Sequence, residues 1–141
     1  MKKLLSVVGL AAGLALAGCQ SAPMNPMASK MVYSGVLPCA DCAGIRTTLT
    51  LYRDQSAKPS RYELTQQYLG TSKPTTNEVE RGAWVSDRIE LDDKKYDVYT
   101  LNPEDEEAQH RFLQSATNAV EMLDSAGQRV ETDMNYTLIK R

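Results

Sequence analysis

Two cysteines stand two residues apart in Pro38-Cys39-Ala40-Asp41-Cys42, inside the segment GVLPCADCAGI. Cys-x-x-Cys supports three chemistries. Thiol–disulfide exchange places the pair at a helix N-terminus, where backbone N–H groups stabilise the thiolate. Here the residues from Ile45 onward alternate with a period of two, so a strand is expected and that dipole is missing. A closed zinc site wants four ligands, and this chain offers one pair and one histidine, His110. A soft monovalent ion asks for less. Cu(I) is matched by thiolates and thioethers, and two thiolates on one short loop could grip it. Met24, Met27 and Met31 lie just upstream; Met24 and Met27 are possible extra thioether ligands, and Met31 is expected in the core. The remaining role is a local disulfide. A ring this small yields little chain-entropy stabilisation, so the pair is a poor staple, and a redox or metal role is favoured over pinning.

The third cysteine, Cys19, closes Leu16-Ala17-Gly18-Cys19, after Lys2-Lys3 and an apolar run from Leu4 to Leu16. A basic start, a short apolar core, small residues and then cysteine read as a lipoprotein signal peptide, residues 1–18, with Cys19 lipidated. The apolar core is too short to span a membrane. Each buried acyl methylene adds about 0.8 kcal/mol, so two or three chains anchor stably. Gln20 after the cysteine favours the outer membrane, with the domain facing the periplasm. Residues 19–30 are polar and rich in Ala, Ser and Pro, and are expected to form a flexible tether. Cys39 and Cys42 are then an even pair in an oxidising compartment. The chain of 141 residues carries 16 basic and 18 acidic residues; loss of Lys2 and Lys3 with the signal widens the acidic excess from two to four. Nucleic acid, which wants a basic patch, is not an expected partner.

Residues 31–141 must position the cysteines, and they read as strands. Ile45–Tyr52 sets Ile45, Thr47, Leu49 and Leu51 on one face. Arg61–Leu69 alternates likewise through Tyr62, Leu64 and Tyr68. Further candidates are Met31–Leu37, Gly82–Val85, Arg88–Leu91, Tyr96–Leu101, Arg111–Gln114, Val120–Leu123 and Tyr136–Ile139. Turn chemistry separates them at Asp54-Gln55, Lys58-Pro59-Ser60, Lys73-Pro74, Ser86-Asp87, Asp92-Asp93, Asn102-Pro103 and Ala126-Gly127. Eight or nine short strands fit an antiparallel barrel or sandwich. Trp84 is expected to anchor the core, Met122 and Met134 to lie in the core or line the barrel, and Glu104–Glu107 to be a solvated loop. His110 reads as a surface histidine without an identifiable partner, so no nucleophile–base pair is present and no catalysis is expected. A barrel could also carry a small apolar ligand, with the cysteines as a structural disulfide; one Phe and one Trp offer it little aromatic lining.

The segment Gly35–Ile45 resembles the cysteine segment of the NlpE family of envelope lipoproteins. Tyr68-Leu69-Gly70, Gly82-Ala83-Trp84, Glu121-Met122-Leu123-Asp124 and Asn135-Tyr136-Thr137-Leu138 follow in that family's order. The resemblance covers about Tyr33 to Ile139, the N-terminal domain of the family. It implies a small antiparallel up-and-down β-barrel related to lipocalins. It also implies an outer-membrane role in copper resistance or in reporting envelope stress to a Cpx-type sensor kinase. The family's cysteine pair maps onto Cys39 and Cys42 and its lipid anchor onto Cys19. Longer members carry a second domain with another cysteine pair; the sequence ends at Arg141, and redox sensing through such a domain is not expected of it.

Overall fold

The computed structural model describes residues 29–71 and 77–141. They form eight antiparallel strands: β1 (Lys30–Leu37), β2 (Gly44–Arg53), β3 (Pro59–Leu69), β4 (Glu78–Leu91), β5 (Lys94–Leu101), β6 (His110–Ala116), β7 (Ala119–Met122) and β8 (Thr137–Lys140). Each strand pairs with its neighbour in sequence, and β8 returns to β1 through Tyr33↔Lys140 and Ser34↔Ile139. The sheet is therefore a closed up-and-down barrel, the order lipocalins use, and the sandwich alternative falls. Closure leaves no unpaired edge.

The alternation read from β2 holds: Thr47, Leu49 and Leu51 are buried and Ile45 packs against the core. Turn chemistry explains the tight connections. Asp92 and Asp93 both adopt positive φ, 50° and 63°, between the closing pair Leu91↔Lys94. That is the twist a two-residue hairpin needs, and Asp tolerates it. The Asp54 carboxylate accepts the N–H groups of Ser56 and Lys58, and Asp124 repeats the arrangement with Ala126 and Gln128. One expected turn is not a turn. Ser86 and Asp87 lie within β4, paired with Tyr99 and Val98, so two expected strands are one of 14 residues. A polar pair marks a turn only where the chain reverses; these two sit in an unbroken ladder.

Inside the barrel Leu49, Leu51, Leu64, Leu101, Phe112, Val120 and Leu138 pack around Tyr33, Tyr62, Trp84 and Tyr99. Trp84 Nε1 donates to the Tyr52 carbonyl at 2.8 Å, the Tyr99 ring meets the indole edge-on at 5.3 Å, and the Arg53 guanidinium lies 5.0 Å from its centre. Tyrosines thus supply the aromatic lining that a count of Phe and Trp missed, and side chains fill this interior. No buried side-chain nitrogen or oxygen among the described residues lacks a partner.

Along β5, Val98 to Leu101 are all buried. Tyr99 and Leu101 point inward, whereas Val98 joins Leu113 and Leu123 in a second apolar cluster. Ile89, Leu91 and Tyr96 pack against that cluster. Alternation places Val98 on the outer face, so this part of the wall is covered on both sides. Arg129 helps hold the segment after β7: its guanidinium pairs with Glu121 at 2.7 Å and lies 5.7 Å from the Tyr96 ring centre.

The buried tyrosines set an alkaline limit on stability. Burial, reinforced by Tyr99, pushes the Tyr33 hydroxyl up to about 12 from its ordinary 10, and Arg53 only partly offsets this. Tyr62 is raised by burial and then by donating to Glu80, and Tyr99 chiefly by burial. Above the unfolded value the unfolded chain binds fewer protons than the folded one, so stability falls as pH rises. The contribution is intact below pH 10 and is lost as pH climbs toward 12. Urea unfolding on either side of pH 10 should show it, and Tyr33→Phe should flatten it; equal pH slopes in the two proteins would refute the assignment.

Candidate functional site

The four odd-to-even connections of an up-and-down barrel share one end. Among the described residues they are the cysteine loop between β1 and β2, the two ends of the β3–β4 connection (residues 70–71 and 77), residues 102–109, and residues 123–136. Cys39 and Cys42 form a disulfide with Cα atoms 5.3 Å apart, a normal separation for such a bond. Ala40 and Asp41 between them are exposed. The chain runs from the loop directly into β2, so the pair does not open a helix. Cys42 Sγ lies 3.3 Å from the Gly44 carbonyl. In the disulfide this is a contact; a reduced Cys42 thiol could donate there.

The loop is held from three sides. The Ala43 N–H donates to the Leu69 carbonyl at 2.8 Å. Gly70, at φ 70°, passes so close that a Cβ on it would lie 2.8 Å from the Ala43 Cβ. Asn135 reaches across the barrel closure: its amide donates to the Val36 and Thr137 carbonyls, each at 3.1 Å, and its oxygen accepts the Thr137 N–H. Between these supports Val36, Leu37, Pro38, Cys39, Ala43, Met134 and Asn135 line a cleft of about 250 Å³.

Met134 departs from its expected place. It is 63% exposed and lines the cysteine cleft instead of the core. The apolar pattern does not reveal this, because residues 124–136 form a connection with no strand period. Met31 and Met122 do pack against the core, and the Tyr33 hydroxyl lies 3.7 Å from the Met31 sulfur. Cys19, Met24 and Met27 lie outside the described residues.

His110 has a partner that spacing could not disclose. Its Nε2 lies 3.3 Å from a Glu80 carboxylate oxygen, and the other oxygen accepts the Tyr62 hydroxyl proton at 2.5 Å. The histidine is half-buried, not a free surface group. The loop Glu104–Glu107 is exposed, and Asp105 caps its own turn by accepting the Glu107 N–H. Among the described residues no three His, Cys, Asp or Glu side chains converge as a metal site. Larger hollows, of about 390 and 420 Å³, are lined by the outer-face residues Val98 and Arg111 and by residues 128–132.

These features define a lipocalin-like barrel with a filled interior, whose reactive pair sits on an end loop. The NlpE N-terminal domain model matches residues 33–133, and the chain belongs to that family. Lipoprotein NlpE of Escherichia coli (strain K12) is 31% identical over 125 residues, covering 87% of this chain and 45% of that protein. The chain therefore spans less than half the length of this relative. The crystal structure of the Cpx pathway activator NlpE from Escherichia coli matches 75% of this chain and 48% of its own, at 25% identity and a TM-score of 0.49.

Proposed function

We propose that this domain is the sensing module of an outer-membrane lipoprotein, in which Cys39 and Cys42 respond to copper or to redox change and the barrel passes that state to a Cpx-type sensor kinase. The observation that carries the reading is the position of the pair, on an exposed loop clamped to a rigid barrel end. Reduced, the two sulfurs suit a soft ion, and the loop already holds them in close approach. Cu(I) would be held by Cys39 and Cys42 as thiolates, which bind it through sulfur. The filled interior favours this reading over carriage of an apolar ligand.

An anaerobic Cu(I) competition titration of reduced, unlipidated Cys19→Ser protein tests the proposal. One-to-one binding that Cys39→Ser/Cys42→Ser abolishes supports it. Binding indifferent to both cysteines reduces the pair to a structural disulfide. The anchor has its own test: Cys19→Ser should move the protein from the detergent phase to the aqueous phase in a phase-partition assay, and unchanged partitioning would contradict lipidation at Cys19.

A further inference from the structure

We infer that Met134 is a third sulfur ligand of the Cu(I) site, so that reduced Cys39, reduced Cys42 and the Met134 thioether form a three-sulfur site at the barrel end. The inference rests on the copper reading of the cysteine loop and names a ligand which that reading does not contain.

Three observations converge. Met134 lines the same cleft as Cys39, and the disulfide places the Cys42 sulfur against that of Cys39. Among the described residues Met134 is the most exposed of the large apolar side chains, and Val36, also exposed, lines the same cleft. Its backbone is fixed although its side chain is free. The Met134 N–H donates to Thr132 Oγ1 at 3.2 Å, and the next residue, Asn135, is bound to the Val36 carbonyl. A flexible thioether on a held backbone can reach an ion in the cleft, and only its side-chain rotamers need ordering. Isolated exposed apolar residues are ordinary. This one stands beside the Cys39–Cys42 pair, and among the described residues no three His, Cys, Asp or Glu side chains converge as a metal site. Cu(I) accepts neutral thioether sulfur, whereas zinc takes thiolate, imidazole and carboxylate, and the harder cations take oxygen.

The site is assembled by reduction. A dithiol reductant cleaves the Cys39–Cys42 bond; two electrons and two protons reach the cysteine sulfurs, and the reductant leaves as its disulfide. Cu(I) then displaces both thiol protons to solvent, and its oxidation state is unchanged. Met134 contributes a lone pair and no proton. The disulfide form cannot supply the two thiolates, so redox state gates metal binding.

The test compares reduced Cys19→Ser protein with the same protein carrying Met134→Leu, Met134→Cys or Cys39→Ser/Cys42→Ser. Each is titrated anaerobically with Cu(I) against a competing chelator, and sulfur coordination is read by X-ray absorption. Leucine keeps the volume and removes the sulfur, and the position is exposed, so thermal unfolding should be unchanged. Met134→Leu is expected to lower Cu(I) affinity on the order of tenfold or more and to reduce sulfur coordination from three to two. Met134→Cys should restore three sulfurs. If Met134→Leu matches the parent in affinity and coordination while the double cysteine variant loses binding, the inference fails and the copper reading stands. If the double variant binds as the parent does, both fail.

Discussion

Trp84→Ala is expected to destabilise the domain by about 3–5 kcal/mol. The indole is 1% exposed and belongs to the main core cluster. Its loss opens a cavity in a closed barrel, where β-ladders on every side resist collapse into the space. Removal of Nε1–H leaves the Tyr52 carbonyl without that donor, the Tyr99 ring without its edge contact and Arg53 without the ring it covers. A small domain is stable by only about 5–15 kcal/mol in total, so the variant should populate unfolded chain under mild denaturant. Urea unfolding followed by circular dichroism measures the change, because the variant has no tryptophan to report by fluorescence. Trp84→Phe should recover part of the loss by refilling the space without the hydrogen bond. A loss below about 1 kcal/mol for Trp84→Ala would show that the barrel repacks freely, contrary to this account.

The second large effect is on chemistry. Cys39→Ser/Cys42→Ser should lower Cu(I) affinity by on the order of a thousandfold or more, since a protonated serine hydroxyl is a hard donor that cannot replace a thiolate. The same substitution should cost little stability. The disulfide closes a loop of sequence separation 3, and the chain-entropy estimate for so short a loop is at most roughly 2 kcal/mol. The loop lies outside both apolar clusters, so no core contact is lost. Trp84→Ala and the cysteine variant should therefore separate, one moving stability and the other binding. A large fall in unfolding midpoint for the cysteine variant, with copper binding retained, would reverse the assignment and make the pair a staple.

The path from sequence to structure was open where interactions are local. The face Thr47–Leu49–Leu51 alternates because one side of β2 meets the core and the other meets solvent. Asp54, Asp92, Asp93 and Asp124 announce turns through backbone chemistry within a few residues. The path closed where the reason was distant. Val98 to Leu101 show no alternation of burial because a segment more than twenty residues later covers their outer side. Ser86-Asp87 has the composition of a turn, and pairing with β5 keeps it extended.

The candidate site divides along the same line. The sequence by itself determined the chemistry: two cysteines at a spacing that lets their sulfurs meet, the lipid-type motif at Cys19, and strands enough to build a barrel. Those are properties of residue type and short-range periodicity, and they survive without coordinates. Only the tertiary structure decided which other side chains share the site. Closure of β8 on β1 brings Asn135 against Val36, 99 residues away in sequence, and Met134 comes with it to the cysteine cleft. Pairing of β4 with β5 and of β5 with β6 likewise sets His110 beside Glu80. Such neighbours are fixed by the register of a whole closed sheet, a sum over every strand, and no window of sequence contains it.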